Sequence, residues 1–226
     1  MEAFLNKLLP NVTNKIPELI ESTKETIYMT LVSMSIAFVL GLGLGILLIL
    51  SRSGGIRQNR LLYGILDKII NVVRSIPFII LLASMIPLTR LVMGSAIGTK
   101  GAILPLIAGT VPFFARQVES ALSEVDKGLV EAAQAMGTST GGIIFRVYLK
   151  ESIPALTRVT TITMISLIGL TAMAGAVGGG GLGDFAIRYG HQRNQIDVTY
   201  VTVLVLLLLV MIIQLIGNWI IRKSTH

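Results

Sequence analysis

The residues of this chain that could do chemistry are few, and their spacing excludes most catalytic arrangements. There is no cysteine, which removes disulfides, thiolate metal sites and a cysteine nucleophile. His191 and His226 stand too far apart, and too poorly accompanied, to hold a metal. His191, in GDFAIRYGHQRNQ, is expected to face solvent. The GGGGLG run contains G-x-G-x-x-G at Gly178, Gly180 and Gly183, and Asp197 follows nineteen residues after Gly178. A dinucleotide site needs a strand before that motif and a helix after it. Here about 25 apolar residues precede it, so the run reads as a flexible, close-packed end to a helix, lying on the outer side. No GxxxxGK[ST] phosphate loop occurs, so ATP is not bound and hydrolysed here by that route. No catalytic, cofactor-binding or metal-binding residue is assigned.

One polar stretch does carry a pattern. Val130–Pro154 lies in the longest polar interruption of the chain, roughly Arg116 to Arg158, and reads as a short helix, a glycine-marked turn and a second helix. Leu122, Val125, Leu129, Ala133 and Met136 fall three or four apart, which predicts one apolar face. Gly137 stands where a helix would end in a left-handed residue. Such an element between two spans offers a partner something to grip, so residues 122–154 are read as a coupling loop.

The elements that must position this loop are membrane spans. Of 226 residues 53% are hydrophobic and only 14% charged, against about 25% in soluble domains. The net charge of +7 does not argue for nucleic acid, because Lys and Arg sit in loops between apolar runs. Residues 1–25 lack the plan of a secretory signal and read as an interfacial segment broken by Pro10 and Pro17. Thr26–Leu50 is uncharged and would reach about 37 Å as a helix, enough for a hydrocarbon core of ~30 Å. Its Gly41 and Gly45 form a GxxxG pair, and Gly175 and Gly179 form another. Either could seat a partner helix.

A second span is expected over 61–89, amphipathic where Asp67, Lys68 and Arg74 fall and interrupted by Pro77. The third, 98–121, is long enough only if it carries Arg116 and Glu119, which are spaced to pair. The fourth, 155–183, holds Thr160, Thr161, Thr163, Ser166 and Thr171. Either these hydroxyls line a solute pathway, with Met164 or Met173 as an apolar gate, or they bond their own helix and the methionines simply pack. The fifth, 198–221, has sixteen Leu, Ile or Val residues, which favour insertion by about 5–10 kcal/mol. The well-defined spans nearly lack ionisable residues, as an ion-driven carrier would not.

Five spans place the termini on opposite sides. With the tail inside, ten Lys or Arg are cytoplasmic: Arg52, Arg57, Arg60, Arg116, Lys127, Arg146, Lys150, Arg158, Arg222 and Lys223. Seven lie outside: Lys7, Lys15, Lys24, Arg90, Lys100, Arg188 and Arg193. The positive-inside rule then puts the N-terminus outside and the C-terminus in the cytoplasm.

The residues at this point carry a resemblance. Glu131, Ala132, Ala133 and Gly137 match the E-A-A-x₃-G of the coupling loop of ABC-importer permeases, with Val147 and Leu149 in its later apolar positions. Lys150 stands where that pattern has proline, and Pro154 follows four residues later, so the second helix is expected to run on. Val73–Leu82 (VRSIPFIILL), Ala174–Gly190 and the five-span layout are similar to permeases of the methionine-uptake type. The resemblance spans nearly the whole chain.

It implies an all-α membrane fold like that of type I importer permeases, with a separate cytoplasmic ATPase dimer, an extracytoplasmic binding protein and a second copy of the chain as partners. ATP and Mg would sit on the ATPase, and no cofactor on this chain. Leu129, Ala133 and Met136 would enter an ATPase cleft, beside Ala132, while Glu131 either pairs with an ATPase cation or caps the helix. The location implied is a bacterial inner membrane and the solute D- or L-methionine. The alternatives are another small amino acid or polar solute, and an ATPase-independent carrier or channel.

Overall fold

The computed structural model describes residues 10–224, which are mostly helical with no strand among them. The elements are α1 (Pro10–Thr13), α2 (Ile16–Ser51), α3 (Arg60–Ser75), α4 (Phe78–Ser84), α5 (Ile86–Met93), α6 (Gly98–Ser123), α7 (Lys127–Ala135), α8 (Thr140–Ile143), α9 (Leu149–Glu151), α10 (Ile153–Ala176), α11 (Gly181–Phe185) and α12 (Ile196–Ser224), with π-helical turns at Ile144–Tyr148 and Ala186–His191. Residues 1–9 of the expected interfacial segment, Lys7 among them, and His226 lie outside the described residues.

Four helices, α2, α6, α10 and α12, are long and apolar enough to cross a membrane. The expected second span is instead three short helices. Pro77 lacks an N–H and biases the residue before it away from helix, so α3 closes at Ser75 and α4 starts after Pro77. The first span starts earlier than expected. Pro17 does not break α2 because it sits in the first turn, where its missing N–H is no loss.

The chain forms two units, and each of the four long helices contributes residues to both. The first unit comprises the described part of Met1–Met34, with Pro77–Ala108 and Met164–Ile213. Val12, Phe185 and Val198 form a buried cluster within it. Asp197 accepts from the Asn11 backbone N–H at 2.9 Å and from its Nδ2 at 3.0 Å, tying α1 to the start of α12.

The glycine-rich block also belongs here, and it is held instead of flexible. Gly178, Gly180 and Gly181 have φ of +90°, +76° and +74°, conformations that side chains resist. Gly181 N–H donates to the Glu25 carboxylate at 2.6 Å, and Leu182 N–H donates to Thr26 Oγ1 at 2.8 Å. A helix and not a strand leads into the block, so the dinucleotide pattern is a coincidence of glycines.

The second unit comprises Ser35–Ile76, Gly109–Thr163 and the described part of Gln214–His226. Here the Gly41/Gly45 pair is spent inside the chain and not on a partner helix. A Cβ on Gly45 would stand 2.5 Å from Val118 Cγ1, and one on Gly41 2.8 Å from the Phe114 ring. The second pair, Gly175/Gly179, is likewise closed by neighbouring backbone of its own chain.

Arg116 and Glu119 pair as their spacing predicts, at 2.6 Å. Two further members escape the sequence: Arg116 reaches Asp67 of α3 at 2.5 Å, and Tyr63 donates to Glu119 at 3.2 Å. The α3 face towards α6 is therefore mixed, Ile70 packing in a cluster with Ala115 while Asp67 meets Arg116, and the guanidinium bridges two carboxylates directly.

Three outcomes follow from this packing. Gly45→Ala is expected to cost about 1–3 kcal/mol through overpacking against Val118. Gly43→Ala, with nothing within 4 Å of the new Cβ, should leave the thermal midpoint in detergent unchanged or slightly raised. In the same assay Arg116→Gln should cost about 2–3 kcal/mol, because it leaves Asp67 and Glu119 without their common cation.

Candidate coupling loop

The loop between α6 and α10 is built by caps and a glycine turn. The α6 helix stops at Ser123, and Asp126 starts α7 by accepting from Gly128 N–H at 2.6 Å. This is an N-cap and sits where the first-turn N–H groups need an acceptor. It removes the capping role from Glu131, which lies mid-helix and exposed, with no ion pair among the described residues. At the other end Gly137, at φ +72°, donates to Gln134 O at 2.9 Å, and Thr138 N–H donates to Ala133 O at 3.0 Å. The two bonds make a Schellman turn, as the position of Gly137 predicts.

Ser139 then caps α8, accepting from Gly142 N–H at 3.2 Å. The second helix runs through the π-helical turn to Glu151, past the position where Lys150 replaces a proline. Pro154 falls in the first turn of α10 and starts that helix instead of ending the previous one.

The single apolar face expected over Leu122 to Met136 does not exist, because the break at residues 124–126 resets the helical register. Leu122 is buried in α6. Within α7, Val130 and Ala133 turn inward, whereas Leu129 is 48% and Met136 78% exposed. Ala133 is thus packed in its own chain and not presented to a partner. Ala132, Glu131 and Gly137 are exposed.

The sequence gives no sign of Phe145, which is 72% exposed. The π-helical turn adds a residue there, so Ile143 and Tyr148 both point inward and Phe145 stands out. Asp126 had a readable signal, an acidic residue just before a helical run. Burial pushes the Tyr148 phenol above its ordinary range, the charge of Arg52 pulling the other way. A cleft of about 330 Å³ opens beside the loop, lined among others by Glu124, Asp126, Leu129, Glu151 and Arg158.

The proposed pathway residues divide. Thr160 and Thr163 donate to the carbonyls of Leu156 and Val159, each at 2.7 Å, and Thr163 is fully buried. Their donors are spent on their own helix, the reading that the hydroxyls stabilise α10 itself. Met164 is half-buried. Ser166 and Met173 are exposed on one face two turns apart. His191 is exposed, as expected.

Long apolar helices joined through a capped, reversing loop with outward Leu129, Met136 and Phe145 define a multi-pass membrane component whose loop leaves an apolar surface uncovered by the described residues. The chain matches the model of the family described as binding-protein-dependent transport system inner membrane component over residues 37–225, and it belongs to that family. It is therefore a multi-pass inner-membrane protein.

Among its relatives is a probable D-methionine transport system permease protein MetI of Vibrio cholerae, 46% identical over 208 residues, which are 92% of each chain. Another is the protein of the same name from Pasteurella multocida, 46% identical over 216 residues, 95% of this chain and 100% of that one. The fold matches a chain of the inward-facing MetNI methionine ABC transporter with TM-score 0.92 and 44% identity, covering 94% of this chain and 99% of that one.

Removing the cap by Asp126→Ala is expected to cost about 0.5–2 kcal/mol. Gly137→Ala adds about 1–2 kcal/mol for a left-handed alanine. Protease nicking confined to 124–140, measured in both variants against the parent, checks that the damage stays local.

Proposed function

We propose that this chain is the membrane-spanning subunit of an ATP-driven methionine importer, taking up D- or L-methionine by alternating access. The observation that carries this reading is the handle: Glu131 without an ion pair among the described residues, and Leu129, Met136 and Phe145 bare, on a loop fixed at both ends by caps. The 46% identity to proteins named as D-methionine transport permeases supports the solute. Bare apolar side chains on a short helix suit a groove in another protein. The groove would belong to a cytoplasmic ATPase dimer that holds ATP and Mg and hydrolyses the nucleotide, this chain not being an enzyme.

Two copies of the chain would enclose the pathway, with Ser166 and Met173 towards it, and an extracytoplasmic binding protein would deliver the solute. In this reading the N-terminus is outside and the C-terminus and coupling loop are cytoplasmic. When the ATPase closes on ATP it draws the two handles together, and the helices attached to them rock as rigid bodies.

Reconstitution in liposomes with the ATPase and binding protein tests this. Methionine uptake should require ATP and all three proteins. Glu131→Lys and Met136→Asp should each lower uptake and ATPase association at least tenfold with an unchanged thermal midpoint. Uptake by this chain alone without nucleotide, or full uptake by both variants, would overturn the reading. Because the chain has no cysteine, Gln134→Cys gives a single label site, expected to react only from the cytoplasmic side.

A further inference from the structure

Three cations crowd one aromatic ring in the first unit. Lys15 Nζ lies 5.4 Å, the Arg188 guanidinium 5.2 Å and the Arg193 guanidinium 4.8 Å from the centre of Tyr189. All three therefore stand within about one Debye length, ~10 Å, of each other. Among the described residues one carboxylate pairs with them directly: Asp184 with Arg188. Asp197 accepts from Asn11, and Lys15 Nζ donates to the Asn11 carbonyl at 3.2 Å. Glu18, one turn from Lys15 on α2, is exposed and makes no ion pair among the described residues. His191 is exposed in the same segment.

Like charges gathered this closely repel, and the ring quadrupole offsets only part of that. An added anion would complete the cluster. What kind follows from its surroundings. Three residues after Arg193 begins the bare face of α12: Ile196, Tyr200, Leu204, Leu207 and Met211, each more than half exposed and spaced three or four apart. Cations and tyrosines at the end of an apolar helical stripe are what the headgroup zone of a bilayer accommodates.

We propose that Lys15, Arg188 and Arg193 around Tyr189 bind the phosphodiester of an anionic phospholipid whose acyl chain lies along the α12 stripe. A second copy of this chain does not fit the cluster, because it would bring the same positive charge. A soluble acidic protein would match the charge and leave the apolar stripe uncovered. The site does not depend on which leaflet the cluster faces.

Native mass spectrometry of the intact transporter complex, exchanged into mixed micelles of phosphatidylglycerol and phosphatidylcholine, tests the proposal. The parent protein is expected to retain phosphatidylglycerol selectively. Lys15→Gln with Arg193→Gln should weaken that retention by about 10- to 30-fold. Lys15→Arg with Arg193→Lys should restore it, which separates lost charge from lost folding, and Arg188 is left in place to keep its bond to Asp184.

Equal retention of the two lipids by the parent, or unchanged selectivity in the glutamine variant, would overturn the proposal. So would displacement of the lipid by millimolar inorganic phosphate, which would mark a site for a free anion. Weakened association with the extracytoplasmic binding protein, with lipid selectivity intact, would assign the cluster to that protein and likewise overturn it.

Discussion

Hydrocarbon offers no hydrogen bond, so a polar group carried into the spans is costly unless it finds a partner within the chain. That constraint explains the internal chemistry of the long helices. Thr23, Thr26, Thr30, Thr160, Thr161, Thr163 and Thr202 each donate to the carbonyl four residues back. A hydroxyl that bonds its own helix is neutral to its neighbours, and the chain can carry many without committing any to specific pairing. The charged groups obey the same rule at longer range. Arg116 is bonded at once to Asp67 and Glu119, and Glu119 also accepts from Tyr63, so two carboxylates, a guanidinium and a phenol close on each other.

The coupling loop follows from the opposite condition. Outside the hydrocarbon a helix can end and another begin, and this chain does so sharply: Gly137 ends one helix, and Asp126, Ser139 and Pro154 stand at the starts of three others, all within 29 residues. Caps at both ends of a nine-residue helix matter because so short a helix is marginal without them. The inward pair Val130 and Ala133 fixes its rotation, and with rotation fixed the outward side chains Leu129, Glu131 and Met136 are presented in one orientation. A handle that could spin would transmit little. Rigidity here comes from the glycine and the two caps, not from the apolar residues that make the surface.

How much of this was legible in sequence depends on whether the cause was local. The Gly137 turn, the Arg116–Glu119 pair, the amphipathic start of α3 and the exposure of His191 follow from neighbours within a turn or two, and each stands as the spacing implies. The rotation of α7 was not legible. The three- and four-residue spacing from Leu122 to Met136 is real, but a helix break at residues 124–126 voids any periodicity counted across it. The role of Gly41 and Gly45 was half legible: close packing could be read, but its recipient, Val118 and Phe114 of the same chain, lies about 73 residues away in sequence. Asp67 and Asn11 find their partners across 49 and 186 residues, distances over which a single sequence carries no pairing signal. Phe145 was hidden for a different reason, since a π-helical turn shifts the exposed face by one residue and leaves no compositional trace.

The same internal satisfaction bears on where the driving force must come from. A carrier that runs on an ion gradient needs a titratable group able to exchange its partner during the cycle. In this chain Asp67 of α3 and Glu119, near the C-terminal end of α6, are held by a common guanidinium, and releasing Glu119 would strand a charge that is costly to bury. Threonines along these helices close on their own backbone, while Ser33 and Thr110 are buried with no hydrogen-bond partner among the described residues. A surface without partners among the described residues is the partly apolar one of α7 with Phe145, where Glu131 makes no ion pair. Force applied there has a direct covalent route into α6 and α10, the two long helices that the loop joins.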